Sequence, residues 1–425
     1  MNKKIKSLEK LNNTLANLKL SIHHVGGRAG SRAFPPMKFF EKDIINVLYD
    51  ADKDCLKQII ARNRHLESQL HVLPYAFGDK CKTSTLNINY DPYTSSLLET
   101  NESLDSFYKF SNNHDYILGE TAKTVEKRDV EVVSIDHIYG SDSVTCPKPD
   151  FLSIDVEGGE YDILKGSIET MKSSVLAVYA EVTFLPFRKG QKNFGELCDF
   201  LSAQGYHFVT FANSDDKIFM QEMSPYRYPI GLRGGGFHTL SEALFLRKIE
   251  VVNNLFSHPE QRYINLRKLA FFSIVFNQIE YGLECLKQSR VIYKNTGSIP
   301  NIIGEPNYFK FLIELELAEK KHPNLFPKTF MSIYTYQQSK ERFNIYDKRS
   351  KFESIVKKIS GFFVLYKLAL KIKNYVLKKL NSLYYLLASS YNSNFEKVFI
   401  KFKLIDQARL IKQKRILQQS YISKK

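Results

Sequence analysis

Between residues 21 and 248, short apolar runs rich in β-branched and aromatic residues alternate with longer stretches whose apolar positions recur at helical spacing. Strands are expected at residues 20–25, 45–50, 69–76, 151–156, 176–184, 206–212 and 243–247, and helices at 52–63, 160–171 and 194–204, the last closed by Gly205. Seven strands with intervening helices predict an α/β fold with a doubly wound, mostly parallel sheet. Pro35 and Pro36 forbid a long helix starting at Gly30, so the first helix is short or displaced. Residues 83–129, which include "NINYDPYTSSLL", are polar and break the alternation, as an inserted hairpin or lid over one sheet edge would.

After Lys248 the pattern turns helical. "YINLRKLAFFSIVFNQIEYGLECLKQSRVIY" splits around Asn277 and Gln278 into two amphipathic halves, a helical hairpin expected to pack on the sheet. Beyond Lys340, Leu365, Leu368, Ile372, Val376 and Leu383 share one helical face, and Lys367, Lys371 and Lys378 share another. The expected organisation is an N-terminal helix at 1–20, the α/β domain at 21–248, a helical subdomain at 249–339 and a basic amphipathic tail at 340–425.

Charge sharpens that division. Residues 340–425 hold 21 Lys and Arg against 5 Asp and Glu, which is the whole formal surplus of +16; the other 339 residues hold 40 of each sign. The basic character belongs to the tail, where an amphipathic Lys-bearing helix suits an anionic membrane surface, with a solvated helical face as the alternative. No nucleic-acid reading module accompanies the charge, so no nucleic-acid partner is expected. Five scattered cysteines without metal-ligand spacing fit reduced thiols. Together with a start that lacks a signal-peptide pattern, they give a cytoplasmic expectation, peripheral to the inner membrane surface if the tail engages it.

Three stretches carry candidate chemistry. In "SIHHVGGRAGSRAFPP", Gly26, Gly27 and Gly30 follow the first strand, where glycines let backbone amides approach a cofactor. "INVLYDADKDC" ends the second strand on Asp50, placed as acids that hold a ribose diol are, with Asp52 as an N-cap competitor. In "PDFLSIDVEGGEYDILKGS", Asp155 and Glu157 fall at the carboxyl end of a strand, where open α/β sheets bind ligands. Glu160 and Asp162 read as helix-start residues. An acidic cluster can hold a divalent ion, but no spacing here demonstrates one, and no metal is expected.

The run "FLSIDVEGGEYDILKGS" resembles the signature of the FkbM-type methyltransferases. In order along the chain, "HHVGGRAGS", "VLYDADKD", "LPYAFGD", "SSLL", "EVVSIDHI" and "YAEVTFLPFRKGQKNFGELCDFLSAQGYHFV" resemble the family's other blocks over residues 21–248. The resemblance implies a Rossmann-like class I methyltransferase sheet with helices on both faces, here followed by a C-terminal α-helical region. It also implies S-adenosylmethionine as methyl donor and O-methylation of a sugar, glycan or other polyhydroxylated acceptor. By it, Gly26, Gly27 and Gly30 lie against the methionine part of the donor, Asp50 binds the ribose, and Phe77, Gly78 and Asp79 sit near the adenine. Asp155 and Glu157 face the methyl group, Asp155 being the first candidate for general base, and Glu181 lines the acceptor pocket. The departure is His24, where the family carries an acid; an imidazole there offers the donor a hydrogen bond in place of a charge.

Two other classes compete. A binding or scaffold protein that keeps the fold without the chemistry would fit His24 and the proline-broken first helix. An NAD-dependent oxidoreductase would fit the glycine loop and Asp50, but leaves "IDVEGGEYDILKG" without a role.

Overall fold

The computed structural model describes residues 18–26, 35–62, 69–101, 108–110, 118–141, 144–211, 213–214, 217–218, 221–225, 237–296 and 306–321. The N-terminal helix before Leu18, Gly27, Gly30 and the basic tail all lie outside the described residues. The chain divides into two compact units, residues 1–309 and 310–425, so residues 249–309 cluster with the sheet. The boundary falls inside the helix Asn307–Lys321.

The first strand, β1 (Leu20–Val25), is buried at all six positions, as a central parallel strand covered on both faces must be. There follow β2 (Ile44–Tyr49), β3 (Leu70–Leu73), β4 (Ala76–Phe77), β5 (Lys82–Asn89), β6 (Tyr108–Phe110), β7 (Thr124–Val133), β8 (Phe151–Ile154) and β9 (Ala177–Thr183). The last five are β10 (Tyr206–Phe211), β11 (Asn213–Ser214), β12 (Lys217–Ile218), β13 (Gln221–Pro225) and β14 (Phe237–Arg247). The main sheet runs β3-β2-β1-β8-β9-β14, with β10 and β13 both pairing with β14 and β6 pairing with β13. In the core β3-β2-β1-β8-β9-β14-β10, the first five strands are mutually parallel and β14 runs against both its neighbours. This is the doubly wound, mostly parallel sheet that the alternating pattern predicts.

Three expected elements come out differently. The strand expected over 69–76 ends at Leu73, before Pro74, and Ala76–Phe77 joins a separate sheet, β4-β7-β5. In that sheet β5 and β7 pair antiparallel from Lys82↔Val132 to Asn89↔Thr124, which gives the inserted hairpin its form. The helix expected over 160–171 is two, Glu160–Lys165 and Ile168–Ser173. The break falls at Gly166, where a Cβ would come within 2.1 Å of the Gly78 carbonyl oxygen, so the chain needs glycine at the point where the helix stops. The last strand starts at Phe237, six residues before the expected 243; its first part includes exposed and half-buried positions that carry little apolar signal.

The helical hairpin forms as predicted, Pro259–Val275 and Ile279–Thr296, with Asn277 in the left-handed region (φ 64°) at the turn. Phe272 and Phe276 pack on Phe151 at ring-centroid distances of 5.3 and 5.7 Å. Beneath them, buried Lys268 donates to both carboxylate oxygens of Asp150 (2.9 and 2.8 Å), which also accepts the Ser21 amide. The hairpin is thereby tied to the amino ends of β1 and β8, opposite the end where β8 delivers Asp155.

Candidate functional site

Strand order reverses between β1 and β8: β2 and β3 extend the sheet one way from β1, while β8 and β9 extend it the other. Open α/β sheets bind ligands in the crevice at the carboxyl ends of strands flanking such a switch point. Here those ends are Val25 and Ile154. The Asp155 amide donates to the Val25 carbonyl (2.9 Å), and the Gly26 amide donates to the Tyr49 carbonyl (3.0 Å). Gly26 has φ 94°, and a Cβ on it would fall 1.7 Å from the Asp155 carbonyl oxygen. The glycine loop, the end of β2 and the signature strand therefore meet at one place, joined through backbone.

Just beyond β8 the chain turns sharply through Glu157 (φ 62°) and Gly158 (φ 112°). Glu160 holds this turn: its Oε1 accepts the amides of Val156 (3.0 Å) and Gly158 (3.1 Å) from a buried position. Read from sequence as a helix-start residue, it is the inner fastening of the signature loop. Burial raises its carboxyl from 4.5 to about 7 against the opposing pull of the backbone amides, and nearby Asp155 adds to the rise. An acid whose pKa is higher folded than unfolded holds more protons in the folded state between those values, so stability is lost as pH rises from about 4.5 through about 7. Glu160→Gln keeps an oxygen acceptor and removes the titration. Relative to the parent, the variant should gain up to about 3 kcal/mol between pH 4 and pH 8. Urea unfolding across that range measures it, and a constant difference between the two proteins would refute it.

Asp155, Glu157 and Glu181 each bring one carboxylate oxygen within 4.8 Å of the other two. Sequence reasoning named all three, and the fold brings them together from the β8 loop and from β9. Like unit charges about 4.8 Å apart repel by roughly 3.5 kcal/mol at an effective dielectric constant of about 20, so the group favours a cation or a shared proton. For Glu157, burial raises the carboxyl above its usual range, Arg188 pulls it down, and Asp155 and Asp91 push it up. Three carboxylates offer the oxygen donors a hard divalent cation takes, but such clusters are common without one. No second feature among the described residues points to an ion.

Arg188 is the cation that sequence reasoning missed. Its side chain is fully buried, and its Nη2 donates to Glu157 Oε2 (2.8 Å) and to the Thr94 carbonyl (2.6 Å). In "LPFRKGQ" it reads as one of a pair of surface charges.

The other expected residues lie in β1, at the end of β2, and in and just after β4. Asp50, buried at the end of β2, accepts the Asp52 amide at its Oδ1 (2.8 Å). Asp52 itself pairs with Arg128 (3.2 Å). Phe77 is buried edge-on to Tyr49, with centroids 4.8 Å apart, and the Gly78 amide donates to Val133. Asp79 lies in an ion pair with Lys82 (3.1 Å). His24 is buried in β1 with Nδ1 3.0 Å from Ser153 Oγ on β8. His23, on the opposite face of the strand, lies within hydrogen-bonding distance of Ser21 Oγ and the Tyr49 hydroxyl, both at 2.9 Å. Burial lowers its pKa from 6.5 to about 3, leaving a neutral ring in a polar core network that the sequence did not announce.

Residues 24–208 match the family described as "Methyltransferase FkbM domain". No curated protein matches the chain. Among solved structures, a methyltransferase FkbM from Methylobacillus flagellatus KT is similar at 11% identity over 54% of this chain and 44% of its own, with a TM-score of 0.30. This chain thus spans under half the length of that relative. The magnesium protoporphyrin IX methyltransferase (ChlM) from Synechocystis PCC 6803 with bound SAM is similar at 7% identity over 57% of this chain and 81% of its own, with a TM-score of 0.27. An SAM-dependent methyltransferase from Geobacter sulfurreducens in complex with S-adenosyl-L-homocysteine is similar at 10% identity over 68% and 84%, with a TM-score of 0.23.

Proposed function

We propose that the protein, whose residues 24–208 match the methyltransferase FkbM domain, is an S-adenosylmethionine-dependent O-methyltransferase acting on a hydroxyl of a sugar, glycan or similar polyhydroxylated acceptor. The observation that carries the reading is the convergence of Gly26, Asp50 and the Asp155–Glu157–Glu181 group on the sheet's switch point. The residues present fit the donor. Gly26 lets β1 close on the Asp155 backbone and so brings the signature loop to the switch point, Asp50 offers a carboxylate to a diol, and the three acids suit a sulfonium.

S-adenosylmethionine, when bound, supplies an electrophilic methyl group for in-line displacement by an acceptor oxygen. The protein's part is alignment and the acceptor's proton. Asp155, pinned by its amide to Val25, is the first candidate to take that proton, ahead of Glu157, whose carboxylate is committed to Arg188. Glu181 lines the acceptor side. Among the described residues no helix is long and apolar enough to cross a membrane. The same reading places the protein in the cytoplasm, with the basic tail touching an anionic membrane surface where glycolipid acceptors lie, and without a nucleic-acid partner.

Calorimetry with S-adenosylmethionine tests the reading. The intact protein should bind, and Asp50→Asn, which keeps the oxygen that accepts the Asp52 amide, should weaken binding about tenfold to a hundredfold through loss of charge-assisted hydrogen bonds. Absence of binding by the intact protein, with binding gained in His24→Asp, would favour the scaffold alternative.

A further inference from the structure

We propose that Arg188 is a positioning residue of the methyl-transfer site, acting through Glu157; the inference rests on the methyltransferase reading above. One nitrogen, Nη2, bridges the Glu157 carboxylate and the Thr94 carbonyl, while Ser96 Oγ donates to the Glu157 carbonyl (2.8 Å) and accepts the Leu98 amide (3.0 Å). Glu157 is thus held at its backbone directly by Ser96 and at its side chain by Arg188, which is itself anchored on Thr94 in the same short stretch, residues 94–96, beyond the end of β5. That stretch belongs to the inserted hairpin, so Arg188 joins the insertion to the signature loop.

The grip acts where the backbone is least free to choose. Glu157 and Gly158 both have positive φ, and a Cβ on Gly158 would come within 3.1 Å of Arg188 Cδ and 3.2 Å of Gln191 Nε2. The arginine stem packs against the glycine while its head holds the adjoining glutamate. Arg188 Nε and Nη1 are buried and have no hydrogen-bond partner among the described residues. Buried guanidinium groups left partly unsatisfied cost stability, and an apolar side chain would fill the same space better. What an apolar side chain cannot do is hold Glu157 beside Asp155 and Glu181 against their mutual repulsion.

Three proteins test this: the parent, Arg188→Met, which keeps the stem without the charge, and Arg188→Lys, which keeps one nitrogen and the charge. Hydrogen–deuterium exchange is followed by mass spectrometry over residues 94–98 and 156–160, with and without S-adenosylmethionine. In Arg188→Met, exchange in both segments should rise about tenfold while β1, β8 and β9 stay as protected as in the parent, and the slowing that S-adenosylmethionine gives residues 156–160 in the parent should be lost. Arg188→Lys should recover a substantial part of both effects. Unchanged exchange in Arg188→Met, or no recovery in Arg188→Lys, would show that Arg188 only fills space and would overturn the proposal. If the parent shows no slowing and no binding, the methyltransferase reading fails, and with it the role at a methyl-transfer site, whatever the variants show.

Discussion

Gly26→Ala is expected to abolish S-adenosylmethionine binding, weakening it by at least about a hundredfold. An alanine held at φ 94° already bears the left-handed penalty of roughly 1–2 kcal/mol. Its Cβ would also lie 1.7 Å from the Asp155 carbonyl oxygen, an overlap that no side-chain rotation relieves. Relief requires β1 and β8 to part at their carboxyl ends, breaking the bond from the Asp155 amide to Val25 and opening the switch point where the donor is to lie. Calorimetric affinity and urea unfolding measured together separate a lost site from a lost fold, because only the strand ends need move. Binding at the parent's affinity would place the donor elsewhere.

The same contact shows what the sequence could and could not disclose. The spacing of Gly26, Asp50 and Asp155 was readable because each ends a strand whose apolar pattern is strong, and strands β1, β2 and β8 form within two residues of expectation. Glycine's conformational freedom gave the loop its candidate role, but its contact partner, the backbone of residue 155, exists only once β1 lies beside β8. Arg188 was missed, and Glu160, read rightly as a helix-start residue, was not seen as the fastening of the turn, for a related reason. Both are charged residues whose burial no apolar pattern announces, and both are buried because they satisfy a turn, Arg188 from a point distant in sequence and Glu160 by folding back on the residues just before it. The broken helix at Gly166 and the strand cut short before Pro74 belong together: Pro74 sends the chain to the second sheet, and the Gly78 carbonyl of that excursion presses on Gly166.

Asp155→Asn should lower methyl transfer to neutral sugar acceptors by about 10²- to 10⁴-fold, the usual contribution of a positioned general base. Tritium transfer from methyl-labelled S-adenosylmethionine at saturating donor measures it. Asparagine has the same shape and leaves the backbone bonds to Val25 and the approach of Gly26 intact, so the loss reports on proton acceptance rather than on architecture. Glu157→Gln should cost less, because the Glu157 carboxylate is already engaged by the Arg188 guanidinium at 2.8 Å and is less available to take the acceptor's proton. Glu181, on β9, is read as lining the acceptor pocket, and its replacement by Gln should act mainly through acceptor binding. If Asp155→Asn keeps more than about a tenth of the rate while Glu157→Gln falls by about 10² or more, the two acids exchange roles. Arg188 would then serve to orient the base itself, which is a stronger reason for a protein to bury it.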